Sequence, residues 1–307
     1  MSDVIDNVFK DIKMYESESF KNMTVIGLNI PDKHIDLMSL EIGLDMGLVE
    51  ITEIDGNASV NEVKVVNNAN TPLLLLDGEE IIGSMQNRII NSTIIIPAES
   101  EKIIPVSCVE AGRWNSNSTK FHYSNNMATS RVRRDKLNSV SNSLRNDRSF
   151  ESNQQEVWKN ISTRQDELKI ESSTSALHDT YTCKRLDIED YMKAFSTHEK
   201  QNGLVVYING QLVGFEIIYN SKRYKEYHEK ILRSYILDAI GKSDEKYDEK
   251  KIDEDELINK IKLANKESFE SVGLGTDYRI ESKDLGGSVI LYENNLINAS
   301  VFMKVES

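Results

Sequence analysis

The chain has 307 residues, 39% of them hydrophobic, and a formal net charge of −13. That length and apolar content can build a real core, which argues against extensive disorder, while the acidic balance repels nucleic acid and anionic membranes over most of the surface. No stretch reaches the roughly 20 apolar residues that cross a bilayer. The N-terminus MSDVIDNVFKDIKMYE opens with acids, not with a basic segment and an apolar run. Two cysteines, Cys108 and Cys183, are too few for a disulfide framework, so the expected setting is the reducing cytoplasm.

In chain order, Val4, Ile5, Val8, Phe9 and Ile12 have helical spacing and predict a short amphipathic helix from Val4 to Glu16. VIGLNI (Val25 to Ile30) is a strand that stops at Pro31, and Ser39 is the expected N-cap of a short helix running to Gly47. VEITEI (Val49 to Ile54) alternates apolar and polar side chains and leads into the turn Asp55-Gly56-Asn57; EVKVVN (Glu62 to Asn67) alternates again. LLLLDG, NRIINSTIIIPAES and KIIPVSCVEAG are three further β-branched runs separated by polar turns. From Asn115 to Thr182 the composition turns polar, and part of it reads as a long loop. SRVRRDKLNSVSNSLR and QQEVWKNISTRQDELKI are helical within it, and LDIEDYMKAF adds a helix near Asp187.

The last third opens with a hairpin, GLVVYINGQLVGFEIIY, turning at Asn209-Gly210. Next comes an amphipathic helix capped by Ser221, with Tyr224, Tyr227, Ile231, Leu232, Tyr235 and Ile236 on one face; its tyrosines suit a core or a contact between copies. GKSDEKYDEKKIDEDE reads as a solvated linker or an exposed helix start. IDEDELINKIKLANKESFESVG reads as a helix capped by Gly273, and the final strands are joined by turns at Leu285-Gly286-Gly287 and Asn294-Asn295. The fold class is α+β: a β-rich N-terminal half, a sandwich or barrel-like antiparallel sheet, packed with several helices and a C-terminal hairpin and strand set. The segments are 1–114 (mainly β), 115–182 (polar loop and helices) and 183–307 (α+β), read as one integrated domain.

The stretch from Asp77 to Trp114 carries more polar residues than a buried sheet requires. Asp77, Glu79 and Glu80 surround a glycine turn, Gln86-Asn87-Arg88 follows Gly83, and Glu110, Arg113 and Trp114 follow IIPVSCV. Brought together at the sheet ends, they form a pocket for a polyhydroxylated, phosphorylated ligand, or they are strand-end residues that pair with one another. In the pocket reading, Arg88 and Arg113 take phosphate, Glu79 and Glu110 take ribose hydroxyls or act as acid and base, Gln86 and Asn87 line it, and Trp114 stacks on a ring. Paired carboxylates are the arrangement that glycosidic hydrolysis uses. Cys108 reads as a small buried core residue, with a nucleophile as the alternative.

The blocks DGEE, QNRIINSTIIIP, IPVSCVEAGRW, LNSVSNSLR, SNQQEVW, NGLVVYINGQLVGFEIIY, LRSYILDAI and VGLG resemble the ARG- and rhodanese-phosphatase-superfamily-associated protein domain family, over about Val25 to Phe302. By its name, the resemblance implies an association with ADP-ribose or NAD-derived metabolism. The family's polar motif positions correspond here to Glu79, Gln86, Asn87, Arg88, Cys108, Glu110, Arg113, Trp114, Arg145, Gln154 and Trp158, which adds Arg145 and Gln154 to the binding residues. The chain departs where the family often carries His in an HLSAF-like strand, since Asn298 stands in NASVF. A mechanism resting on that His has no residue for it here.

The expected function is therefore to bind or process a nucleotide-derived molecule of the ADP-ribose or NAD class, a hydrolase being one version of it. The alternatives are a non-catalytic sequestering module and an oligomeric scaffold. The expected partner is that small molecule, with no nucleic acid and no membrane, and a homo-oligomer stays open. No cofactor is expected. His34, His122, His178, His198 and His228 show no metal-ligand spacing, so no metal is expected, although Asp77, Glu79 and Glu80 leave an all-acid Mg²⁺ or Ca²⁺ site open. His228 reads as a surface or interface residue. The basic run Arg131, Arg133, Arg134, Lys136, Arg145 and Arg148 reads as a solvated face pairing with acids of the same chain or of a partner, or as a mobile arm over a phosphate.

Overall fold

The computed structural model describes residues 5, 8–9, 11–54, 60–115, 118–243 and 254–304, the side chains of 254–257 excepted. The molecule is α+β and rich in antiparallel strands, as its sequence indicates. Its contacts group the chain into two compact units, one of residues 1–34, 185–270 and 275–307 and the other of residues 35–184 and 271–274. Among the described residues no helix is long and apolar enough to cross a membrane.

The first unit is built on an eight-stranded antiparallel sheet. Its strands are β1 (Lys13–Phe20), β2 (Met23–Asn29), β12 (Gly203–Ile208), β13 (Gln211–Ile218), β14 (Asn265–Glu270), β15 (Thr276–Glu281), β16 (Leu285–Tyr292) and β17 (Asn295–Met303), in the order β1-β2-β12-β13-β17-β16-β15-β14. The β12–β13 hairpin turns at Asn209 (φ 52°) and Gly210 (φ 69°), the positive angles that match strand twist in a two-residue turn. One sheet face buries Ile26, Leu28, Val205, Phe215, Ile217, Ala299 and Val301, and Phe9 packs edge-on against Phe215 at 5.6 Å. Helix α5 (Arg185–Met192) and helix α6 (Ser221–Ile240) complete the unit with α7 (Glu254–Leu263), and all six apolar positions named for the long helix are buried.

Four local expectations in this unit are corrected. Ile5, Val8 and Phe9 are helical, but the helix expected to reach Glu16 gives way to β1 at Lys13, where pairing with β2 takes over. The cap of α6 is Asn220, whose side chain accepts from Arg223 N–H at 2.8 Å, one residue before the Ser221 expected. The helix read through to Gly273 ends at Leu263; Asn265–Glu270 becomes β14 because it has a free edge of β15 to pair with. Gly286 and Gly287 lie inside β16, and the chain turns before Leu285. The expected turn at Asp55-Gly56-Asn57 and most of the charged stretch before α7 fall outside the described residues.

The second unit holds a six-stranded sheet and a small three-stranded one. Strands β4 (Val49–Thr52), β5 (Glu62–Asn67), β7 (Glu79–Gly83), β8 (Arg88–Ile90), β10 (Ser100–Cys108) and β11 (Phe121–Met127) run in the order β11-β7-β8-β10-β5-β4. Strand β10 links the halves, pairing β5 through residues 100–105 and β8 through 106–108. The small sheet joins β3 (Met38–Ser39), β6 (Leu73–Leu75) and β9 (Ile94–Ile96), and helix α1 (Leu40–Asp45) follows β3. The core between them is aliphatic: Ile51, Val63, Val65, Leu73, Leu75, Ile81, Ile94, Ile96, Ile104 and Val106 are all buried. The polar segment supplies three helices, α2 (Ser130–Asp147), α3 (Gln154–Glu167) and α4 (Leu177–Cys183). Strand β11 and helix α4 lie where a loop was expected; β11 is polar in sequence because it pairs along β7 with only part of its side chains buried.

Candidate functional site

The tight turn from Gly83 to Asn87, between β7 and β8, organises the sequence-predicted residues. Gly83 has φ 122° and Ser84 φ 48°, and a side chain at Gly83 would meet the Lys120 carbonyl at 2.8 Å, so the turn requires glycine there. Asn87 Oδ1 accepts Gly83 N–H at 3.2 Å and also receives Arg113 Nη2 at 3.2 Å. Arg113 further donates to the carbonyls of Ser84 at 2.7 Å and Asn115 at 2.9 Å, and pairs with Glu110 at 2.7 Å. Glu110 Oε2 also accepts Asn87 N–H at 3.1 Å, and the Glu110 carbonyl accepts Gln86 Nε2 at 2.8 Å. Burial pushes the Glu110 carboxyl up, but the Arg113 hydrogen bond, the Asn87 N–H, the Arg113 charge and the Thr174 hydroxyl outweigh it and hold it below the usual carboxylate range. Trp114, next in the chain, is 46% exposed.

Arg88 and Cys108 are direct partners across β8 and β10, so their side chains share a face. Arg88 is fully buried: Nη1 donates to Gln86 Oε1 at 3.1 Å, Nη2 lies 3.9 Å from Glu53, and Nε and Nη2 have no hydrogen-bond partner among the described residues. Gln154, at the start of α3, behaves as one more strand residue, since its side chain accepts Cys108 N–H and donates to the Cys108 carbonyl, both at 2.8 Å. Trp158 lies one helical turn further on and brings its indole N–H toward the sulfur. Burial nevertheless pushes the Cys108 thiol up, as expected of a core cysteine.

Glu80 and His178 form a pair that sequence reasoning missed. Successive strand residues face opposite ways, so Glu79 and Glu80 diverge. Glu79 turns back and accepts Leu76 N–H at 2.7 Å. Glu80 is buried and accepts from Ser124 Oγ at 2.7 Å; its Oε2 lies 3.4 Å from His178 Nδ1, and Asn126 Nδ2 lies 3.4 Å from both atoms. The Glu80 Oε1 atom is buried without a hydrogen-bond partner among the described residues. The His178 side chain is 41% exposed. Its hydrogen bond to Glu80 raises its pKa against the opposing effect of burial, and the charges of Glu80, Asp179 and Glu110 add to the rise. His178 reaches this place because Leu177 N–H bonds the Val109 carbonyl and Ala176 bridges Glu110, which seats the start of α4 beside the end of β10. The one signal available in sequence was a His in the polar segment, with no spacing to link it to Glu80.

The basic run is split: Arg131 and Arg134 pair with Glu167 and Asp135, and Arg145 and Arg148 are exposed, whereas Arg133 and Lys136 are corrected to the interior. It lies in α2, where Arg133 and Lys136 are buried and both bind Asp77, Arg133 Nε at 3.1 Å, while Lys136 also donates to the Asn91 carbonyl at 2.6 Å. Arg145 lies on an exposed turn of the same helix. Asp77, Glu79 and Glu80 thus serve three different partners, and no group of three or more His, Cys, Asp and Glu converges to hold a metal among the described residues. His228, expected at a surface or interface, is buried, because its position on α6 faces the core. Cavities open along the helices of this unit among the described residues. One of 330 Å³ runs along α2 and α3 between Asp135, Asn142, Asp147 and Glu156. Another, of 510 Å³, is walled by Ser162, Gln165, Asp166, Ile170, Ser172 and Ser175. The second borders the loop whose Thr174 bonds Gly112 N–H and Glu110.

The family model described as the ARG and Rhodanese-Phosphatase-superfamily-associated Protein domain matches residues 11–302. Comparison with curated proteins and with solved structures gave no match.

Proposed function

Since the chain belongs to the ARG and Rhodanese-Phosphatase-superfamily-associated Protein domain family, we propose that its second unit binds or processes a nucleotide-derived small molecule of the ADP-ribose or NAD class. The family name supplies the ligand class by association. The observation that carries the reading is Glu110, an ionised and almost buried carboxylate fixed by Arg113 and Asn87, with Thr174 of a hydroxyl-bearing loop bonded to it and the exposed Trp114 next to Arg113 in the chain. A carboxylate so held accepts ribose hydroxyls without reorganising, and an indole face stacks on a base; the 510 Å³ cavity next to the Thr174 loop is lined by other residues, Ser162, Gln165, Asp166 and Ser172 among them. The setting proposed is the cytoplasm, from the two unpaired cysteines and the acidic charge.

A second reading, a sequestering module or scaffold, is favoured by how fully Arg113 is engaged: its donors serve Ser84, Asn115, Gly83, Asn87 and Glu110. Thermal shift with ADP-ribose, NAD and cyclic ADP-ribose separates ligand binding, by turnover or sequestration, from a scaffold. Binding at about 100 times Kd stabilises a fold by about 2.7 kcal/mol, and Trp114→Ala is expected to reduce that gain. A flat response across the panel removes the nucleotide reading. Chromatography of a binding ligand after incubation then decides turnover against sequestration.

A further inference from the structure

We infer that Glu80 and His178 are a proton-transfer pair, in which Glu80 holds Nδ1 and leaves Nε2 to activate water against the molecule bound beside Glu110; the inference rests on the function proposed above. The geometry is that of a base oriented by a carboxylate. Glu80 is buried near the start of β7 and faces Nδ1 at 3.4 Å, while the imidazole is 41% exposed. Ser124 and Asn126 of β11 hold the same carboxylate oxygen, Oε2. Its second oxygen is buried and has no hydrogen-bond partner among the described residues, so the local network uses only one of the two carboxylate oxygens. Burying a carboxylate and leaving an oxygen unmatched costs stability, a pattern that accompanies chemistry more than architecture. Glu110, ionised by Arg113, lies within the electrostatic reach of His178.

In the step, Nε2 takes a proton from water and the water oxygen bonds to an electrophilic carbon or phosphorus of the ligand. The bond to the leaving group breaks with its electron pair, and the imidazolium returns its proton to that group. Glu80 stabilises the imidazolium without being protonated. Hydroxyl-bearing Ser124 donates to Glu80, which leaves water as the nucleophile. The charged groups facing the imidazole are Glu80 from β7, Asp179 from its own helix and Glu110 from the end of β10, all acidic.

Two measurements on the full chain test this. The His C2 proton resonances are titrated by NMR in the wild type, His178→Gln and Glu80→Gln. One resonance is expected to titrate above the ordinary His value, to vanish in His178→Gln and to move to lower pH in Glu80→Gln. An unmoved midpoint in Glu80→Gln overturns the pairing. Separately, ADP-ribose, NAD and cyclic ADP-ribose are followed by chromatography. Turnover that rises with pH through the His178 midpoint, and falls at least 100-fold in His178→Gln while the thermal shift persists, supports the inference. A ligand that binds but is not turned over at any pH overturns it and leaves the function proposal standing as sequestration. A panel with no binding removes the function proposal, and the NMR result then still decides whether the pair exists.

Discussion

Asp77 and Arg133, 56 residues apart in sequence, meet at 3.1 Å where neither side chain is more than 3% exposed. Lys136 binds the other Asp77 oxygen from the next turn of α2, so one buried carboxylate holds two buried cations and ties the helix to the turn before β7. Removing one partner of such a cluster strands charge in the interior. Asp77→Ala is therefore expected to lower stability by about 3–5 kcal/mol, read as a fall in the urea midpoint. The triple change Asp77→Leu, Arg133→Met, Lys136→Met is expected to recover most of that loss. A small effect of Asp77→Ala alone would mean that water already reaches the cluster.

The Glu110–Arg113 pair sets an acid limb of stability. The folded Glu110 carboxyl lies below its unfolded range, so its contribution is complete above the unfolded value and is lost as pH falls through the folded one. Arg113→Met is expected to lower the melting temperature at neutral pH and to flatten its fall in acid. Melting curves collected from neutral pH into the acid range, below the usual carboxylate titration, check both. An acid limb as steep in Arg113→Met as in wild type counts against the pair.

His228 works in the opposite chemical sense with the same outcome in acid. Burial pushes its pKa down from 6.5 to about 4, so between those values the unfolded chain binds a proton that the folded chain refuses. Stability is then full above about pH 6.5 and falls toward pH 4, at about 1.4 kcal/mol for each unit of separation. His228→Phe keeps the packing around Tyr224 and is expected to remove this slope. Chemical denaturation at pH 7 and pH 5 measures it, and an unchanged difference between the two would rule His228 out as its source.

Gly273 is fixed by close approach. A side chain there would meet the Ile95 carbonyl at 2.1 Å, and the neighbouring Leu274 N–H already bonds that carbonyl at 2.8 Å. Gly273→Ala is expected to cost about 1–3 kcal/mol by pushing the 271–274 segment off β9. Thermal melting reads the loss, and a neutral result would show that the segment shifts freely.

The sequence by itself determined the elements whose signal is local. The alternation of β4 and β5, the Asn209-Gly210 hairpin and the tyrosine face of α6 follow from periodicity and turn chemistry, which depend on neighbours a few residues apart. The block from Gln86 to Arg113 was legible as a polar cluster, and its members do meet around one turn. Strand pairing and helix docking decided the rest. Asn265–Glu270 has helix-forming residues, yet pairing with β15 makes it a strand. Arg133 and Lys136 of α2 look solvated in sequence, because a helical pattern cannot reveal that Asp77 waits on the buried side. His178 lies 98 residues from Glu80, and only the register that seats α4 on the end of β10 brings the imidazole to the carboxylate.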